Sequence, residues 1–226
     1  MKSAWQNPWF SIPVLIFFNI GLSIIYCVPY GEEIIYFNTW RVEPLNSFFR
    51  FVTHFGEIWA YAFFALSMLL FGRYRYAFLI VFAGLLLIPV QYYLKDVIGI
   101  DRPLTYFEKL GQMQEVVRVP GVELNSGQTS FPSGHTSGAF VLCSVLAMAF
   151  AEKRPRFGTF FALVGVVVAI SRVFLVQHFL PDVLSGVLLG WLVGEGVAWL
   201  SRALGFQRME WLDGNLLGVP LLDKRA

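Results

Sequence analysis

Charged side chains are scarce in this chain. Only 14% of its 226 residues are Asp, Glu, Lys or Arg, against 57% hydrophobic and 17% aromatic. A soluble globule of this size needs more charge to cover its surface, so the composition excludes one and, with a mean hydropathy of +0.62, indicates an integral membrane protein. Cysteine is nearly absent. Cys27 and Cys143 lie far apart in apolar runs, which excludes a disulfide framework and a cysteine-based metal site; both read as small buried or lipid-facing residues. The net charge is only +2 and no block of like charge occurs, so nothing in the balance points to nucleic acid as a partner. Histidine occurs three times, and two of the three stand in polar strings.

The apolar residues fall into runs that are free or nearly free of charge. About 20 such residues are needed to cross the hydrocarbon core, and six runs qualify, at about residues 10–28, 51–71, 76–94, 133–151, 157–173 and 182–200. The fold class this predicts is all-α. One polytopic domain fills residues 1–226, with residues 104–131 as an extramembrane loop and 201–226 as a cytoplasmic tail. Pro89 is expected to bend the third span. The first run is longer than a signal-peptide core and no small-residue cleavage site closes it, so it is expected to remain. Ten of the Lys and Arg residues, including Arg73, Arg75, Lys153, Arg154 and Arg156, fall on the side of the two termini and seven on the other. The positive-inside bias then puts both termini in the cytoplasm.

Three polar strings interrupt this pattern: Lys95-(six residues)-Arg102-Pro103, Pro132-Ser133-Gly134-His135, and Ser171-Arg172-(five)-His178-(three)-Asp182. Ionisable groups are costly beside hydrocarbon, so their concentration marks a site. By the span count, all three lie at the trans-side ends of helices three to six. Three fixed cations, two imidazoles and one carboxylate suit phosphate-ester chemistry. In order and spacing the strings resemble the signature of the type-2 phosphatidic acid phosphatase (lipid phosphate phosphatase) superfamily, in its compact six-span bacterial form. The match covers roughly residues 51–200. Asp101, directly before Arg102, departs from the basic or neutral residue many relatives carry there.

What the resemblance implies agrees with the chemistry of the residues. Lys95, Arg102 and Arg172 neutralise a phosphate dianion, the arginines bidentately. Ser133 and Gly134 open a helix just after a proline, so their N–H groups and the serine hydroxyl form an anion cradle. His178 is the nucleophile, forming a phosphohistidine, and Asp182, four residues on, holds its far ring nitrogen. His135 is general acid to the leaving alkoxide and then base to water. No metal and no cofactor is implied, and no second carboxylate joins Asp182 at the fixed positions of the strings. The implied substrate is a membrane lipid phosphate or pyrophosphate, such as undecaprenyl pyrophosphate, phosphatidylglycerophosphate, phosphatidic acid or a lipid A phosphate. The implied location is the bacterial inner membrane with the site facing the periplasm or exterior.

Alternatives stand beside this reading. Vanadium haloperoxidases share the anion site but are soluble. A lipid phosphotransferase would use the same intermediate, and an inactive membrane scaffold of the same fold would be expected to lose a motif histidine. Outside the strings, His54 reads as a packing or interfacial residue, and Glu57 and Glu195 as groups paired with a neighbouring helix or lying at the interface. Gly186, Gly190 and Gly194 recur every four residues, a close-packing face that is either internal or the contact of a homodimer.

Overall fold

The computed structural model describes residues 3–151 and 154–218, and among these it is all-helical, without strands. Lys2, Lys153, Lys224 and Arg225 of the charge count, and the tail from residue 219 onward, lie outside the described residues. Helix α1 (Pro8–Cys27) is capped by Asn7, whose side chain accepts from the Trp9 N–H. Two short helices, α2 (Glu32–Tyr36) and α3 (Leu45–Val52), precede α4 (Ile58–Leu70) and α5 (Tyr74–Ile98). The loop between the first two strings carries α6 (Pro103–Lys109). Then come α7 (Gly134–Ala151), α8 (Phe157–Phe174) and α9 (Leu180–Ala203).

Among the described residues five helices, α1, α5, α7, α8 and α9, are long and apolar enough to cross a membrane. The run at 51–71 does not form the single span its hydropathy predicts. The chain turns through a 3-10 segment at Thr53–Gly56, and the helix that follows has 13 residues, about 20 Å at 1.5 Å per residue against a core of about 30 Å. The physical reason is local. A Cβ on Gly56 would collide with the carbonyl oxygen of His135, and one on Gly138 would lie 2.8 Å from the Gly56 carbonyl, so the turn is built to bring this backbone against α7. Pro89 lies inside α5, which runs unbroken past it.

Helix α7 forms the centre of the bundle. Its Gly, Ala, Ser and Thr residues are buried around most of its circumference, and α5, α8 and α9 pack on it. Small side chains permit this because apolar surface gives little driving force between helices in lipid, so close van der Waals approach must hold them. The glycine ladder of α9 is part of that packing. Cβ atoms on Gly186, Gly190 and Gly194 would meet Ser133 and Thr136, Phe140 and Ser137, and Ser144 respectively. The face is therefore occupied by α7 within one chain, the internal one of the two alternatives, and nothing among the described residues supports a homodimer contact there. Outward, α1 and α4 present large apolar side chains such as Ile16, Ile20, Phe63 and Leu66, as a lipid-facing layer should.

Candidate active site

Five helix termini converge on one end of the bundle, the start of α7 at Gly134 among them. Gly99, in the left-handed conformation, stops α5 just after Lys95, and Pro103 starts α6 just after Arg102, both as their backbone preferences dictate. Helix α8 ends directly after Arg172, through Val176 at φ 58°. That is an uncommon conformation for a β-branched residue, and it costs of order 1–2 kcal/mol. The turn is closed by the N–H groups of Gln177 and His178, which both donate to the Arg172 carbonyl, so the strained turn fixes the spacing of arginine and histidine. Helix α9 begins with Pro181 in its first turn, and Asp182 Oδ2 accepts the Phe179 N–H at 3.0 Å as a cap.

All eight residues singled out in the strings lie at this end. Arg102 Nη1 stands 3.3 Å from His178 Nε2 and donates to the Gln177 carbonyl at 3.0 Å. Lys95 donates to the Thr129 carbonyl at 2.6 Å. Arg172 is buried and donates from Nη1 to the Thr53 hydroxyl, while its buried Nε has no partner among the described residues. An arginine can only donate, so a neutral His178 accepts at Nε2 and carries its proton on Nδ1. The Nε2 lone pair then faces the cations. Burial, reinforced by Arg102, Arg172 and Lys95, holds the His178 imidazole well below its usual range, so it is neutral at physiological pH.

Two details differ from expectation. His178 Nδ1 is 3.6 Å from Asp182 Oδ2, too far for a hydrogen bond. Ser130 stands between them, donating its hydroxyl to Asp182 at 2.5 Å and lying 3.4 Å from the His178 nitrogen. The Ser133 N–H is also engaged, donating to the Asp182 carbonyl at 3.0 Å, and its hydroxyl is bonded to Thr136. Of the two amides expected in the cradle, the Gly134 N–H remains without an intramolecular acceptor among the described residues, as does that of His135. Ser130, Thr129 and Thr53 were not foreseen; the first two directly precede the second string, a polar run that could have drawn attention to them.

Glu57, expected to pair with a neighbouring helix or to lie at the interface, pairs with α7 through His135: its Oε1 meets His135 Nε2 at 3.3 Å and also His54 Nδ1 at 3.1 Å. Burial raises the Glu57 carboxyl, but the hydrogen bonds from the two histidines more than offset this and hold it below its ordinary value. Glu195 lies far along α9, with its buried Oε1 unbonded among the described residues. No group of three or more His, Cys, Asp or Glu suited to a metal ion occurs among the described residues. Beside His135 opens an apolar groove of about 430 Å³ between α4 and α5, lined by Ile58, Ala65, Leu85 and Ile88 together with Glu57 and Gln91.

Fold and site together define a polytopic membrane protein with two histidines and three cations gathered at one end of its bundle, and the chain belongs to the PAP2 superfamily, whose model matches residues 73–205. It is similar to the phosphatidylglycerophosphatase B of Bacillus subtilis (strain 168), 31% identical over 68% of this chain and 73% of that protein. Undecaprenyl-diphosphatase BcrC of the same organism is 28% identical over 66% and 72%. A lipid A 1-phosphatase of Porphyromonas gingivalis is 35% identical over 32% of this chain, but that stretch is only 16% of its own length. Among solved structures, a transmembrane PAP2-type phosphatidylglycerolphosphate phosphatase from Bacillus subtilis shares the fold with a TM-score of 0.52 and 23% identity, over 87% of this chain and 98% of that one. The named relatives are phosphatases of lipid phosphates, and this chain is an enzyme of that kind.

Proposed function

We propose that the protein removes a phosphate from a membrane-embedded lipid phosphate or pyrophosphate through a phosphohistidine on His178, without a metal. The observation that carries the lipid reading is the groove: an apolar groove between α4 and α5 whose lining includes His135 and Glu57. An acyl or isoprenoid chain lying there stays in hydrocarbon while its headgroup meets the cations. Lys95, Arg102 and Arg172, with the amides of Gly134 and His135, hold the phosphate oxygens and stabilise charge in the transition state. His178 Nε2 attacks phosphorus as the bond to the leaving oxygen breaks, and His135 gives that oxygen a proton. Water then attacks the phosphohistidine, with His135 taking its proton, and inorganic phosphate leaves. Asp182, helped by Ser130, keeps the His178 proton on Nδ1 throughout.

Undecaprenyl pyrophosphate, phosphatidylglycerophosphate and lipid A phosphates, substrates in the names of relatives, are the first to try. Both termini lie in the cytoplasm and the site faces the outer side in this reading, on the Lys and Arg asymmetry. The experiment is phosphate release by detergent-solubilised protein from a panel of lipid phosphates and from soluble p-nitrophenyl phosphate, for wild type and Ala65→Trp. Blocking the groove should abolish release from lipids and spare the soluble ester. Equal loss on both, or wild-type lipid turnover, would refute the groove as the tail site. Release without an acceptor alcohol separates hydrolase from phosphotransferase.

A further inference from the structure

Glu57 and His54 belong to none of the three strings, yet one carboxylate oxygen reaches both His54 and the inward histidine of the second string. The other site imidazole, His178, has a carboxylate of its own in Asp182. His135 lacks one within the strings, and the structure supplies it from the turn before α4. That turn has no freedom to lie elsewhere. Gly56 and Gly138 seat it on α7 by backbone contact, Tyr61 at the start of α4 donates to the Gly138 carbonyl at 2.8 Å, and Thr53 at its other end accepts from Arg172. His54 grips the same Oε1 from the exposed side, so the carboxylate is held from both directions.

We propose that Glu57 is a positioning residue for His135, fixing its ring and its tautomer and stabilising the imidazolium that donates to the leaving oxygen. The proposal rests on the acid and base role given to His135 above. A carboxylate only accepts hydrogen bonds, so His135 Nε2 must carry a proton, and Nδ1 is the nitrogen left for the reacting oxygens. When Nδ1 gives its proton to the leaving alkoxide, the Nε2–H bond to Glu57 remains, and the neutral ring is the correct tautomer to accept a proton from the attacking water at the same Nδ1. The proton lost in the first half is regained in the second, and Glu57 is unchanged over the cycle. The charged groups acting on His135 are Glu57 from the turn, Arg172 from α8 and Arg102 from the segment before α6. Arg172 and Arg102 repel a positive ring, and Glu57, 3.3 Å from Nε2, is the carboxylate that attracts it.

The test is Glu57→Gln, which keeps size and removes charge, measured against His135→Ala and the double variant. On a lipid phosphate, whose alkoxide leaves poorly, Glu57→Gln should lose about tenfold or more in kcat with KM changed less than about twofold. Its alkaline limb should move to lower pH, because without the carboxylate the imidazolium deprotonates earlier. In the His135→Ala background the same substitution should cost nothing further, read on an aryl phosphate that needs no acid. A wild-type kcat and pH profile for Glu57→Gln, with His135→Ala inactive on lipid, overturns this inference and leaves the mechanism standing; so does an undiminished loss in the His135→Ala background. Wild-type lipid turnover by His135→Ala overturns both.

Discussion

Gly186→Ala adds one methyl group where two of the three strings meet. The new Cβ would lie 2.8 Å from the Ser133 carbonyl oxygen and 2.9 Å from Thr136 Cβ. The first of these is backbone of the second string, so no rotamer can relieve it; α9 must move away from α7 by roughly half an ångström, or the helices must bend. Overpacking of this kind costs about 1–3 kcal/mol. The movement also pulls on the bond from the Ser133 N–H to the Asp182 carbonyl, and hence on the spacing of the Gly134 amide and His178. Displacement by about 1 Å can cost about 100-fold in rate, so half of that should cost about tenfold in kcat. The comparison is Gly196→Ala on the same helix, where a Cβ meets nothing within 4 Å; helix propensity there changes stability by at most about 1 kcal/mol in the favourable direction. Thermal unfolding in detergent followed by size exclusion, with phosphate release measured on the same preparations, reads both effects. If Gly186→Ala melts and turns over like wild type, the α7–α9 contact does not set the site as argued.

Covalency is tested by brief incubation with labelled lipid phosphate and an acid-free quench: wild type should retain an acid-labile phosphoprotein, and His178→Ala should neither label nor turn over. Activity should survive excess EDTA and be inhibited by vanadate, a mimic of the five-coordinate transition state; loss in EDTA restored by Mg²⁺ would sink the metal-free mechanism. Because the His178 imidazole sits well below its usual range, the nucleophile stays neutral as the pH falls through about 6.5, where an ordinary histidine takes up a proton. The acid limb it sets in kcat/KM should therefore lie below that pH. The unfolded chain binds that proton more readily, so the contribution of His178 to stability should fall, not rise, as the pH drops below about 6.5; unfolding followed against pH, in wild type and His178→Ala, checks the sign. For sidedness, with Cys27 and Cys143 replaced by Ala, a single cysteine at Ser126 should react with an impermeant maleimide in intact spheroplasts and one at Arg154 only after lysis. The reverse pattern would place the site in the cytoplasm.

Much of this was legible because two signals are strong in one dimension. Hydropathy located α1, α5, α7, α8 and α9 within a few residues, since a span is a local, length-limited property. The string spacings named the cations, histidines and Asp182, since each string is a short local stretch, a helix start or the passage from one helix end to the next helix start. The break at residues 53–57 was not read, although Thr53, His54, Gly56 and Glu57 stand there in plain sequence. Their meaning depends on His135 and Arg172, which lie far along the chain, and a window of local hydropathy averages them into the flanking phenylalanines. Ser130 was missed for a related reason: a lone hydroxyl carries no signal until its neighbours His178 and Asp182 are known to fold over it. Arg41, counted only as a loop cation, turns out to be a tie, donating to the carbonyls of Phe174 and Ile34. Burial lowers its guanidinium to about 10, still charged at physiological pH.

The cations of the site are already engaged by the chain's own oxygens: Lys95 by the Thr129 carbonyl, Arg102 by that of Gln177, Arg172 by the Thr53 hydroxyl. In the proposed reaction an incoming phosphate would therefore exchange neutral oxygens for charged ones and would not meet bare cations. The trade would also run backward. On departure of inorganic phosphate each cation would have an oxygen to fall back on within about 3 Å, so release need not leave several like charges unscreened. A centre with enough positive charge to hold a phosphoryl transition state would otherwise be slow to let go of its own product; on the proposed mechanism, these fallback oxygens place affinity in the transient species and keep it out of the end state.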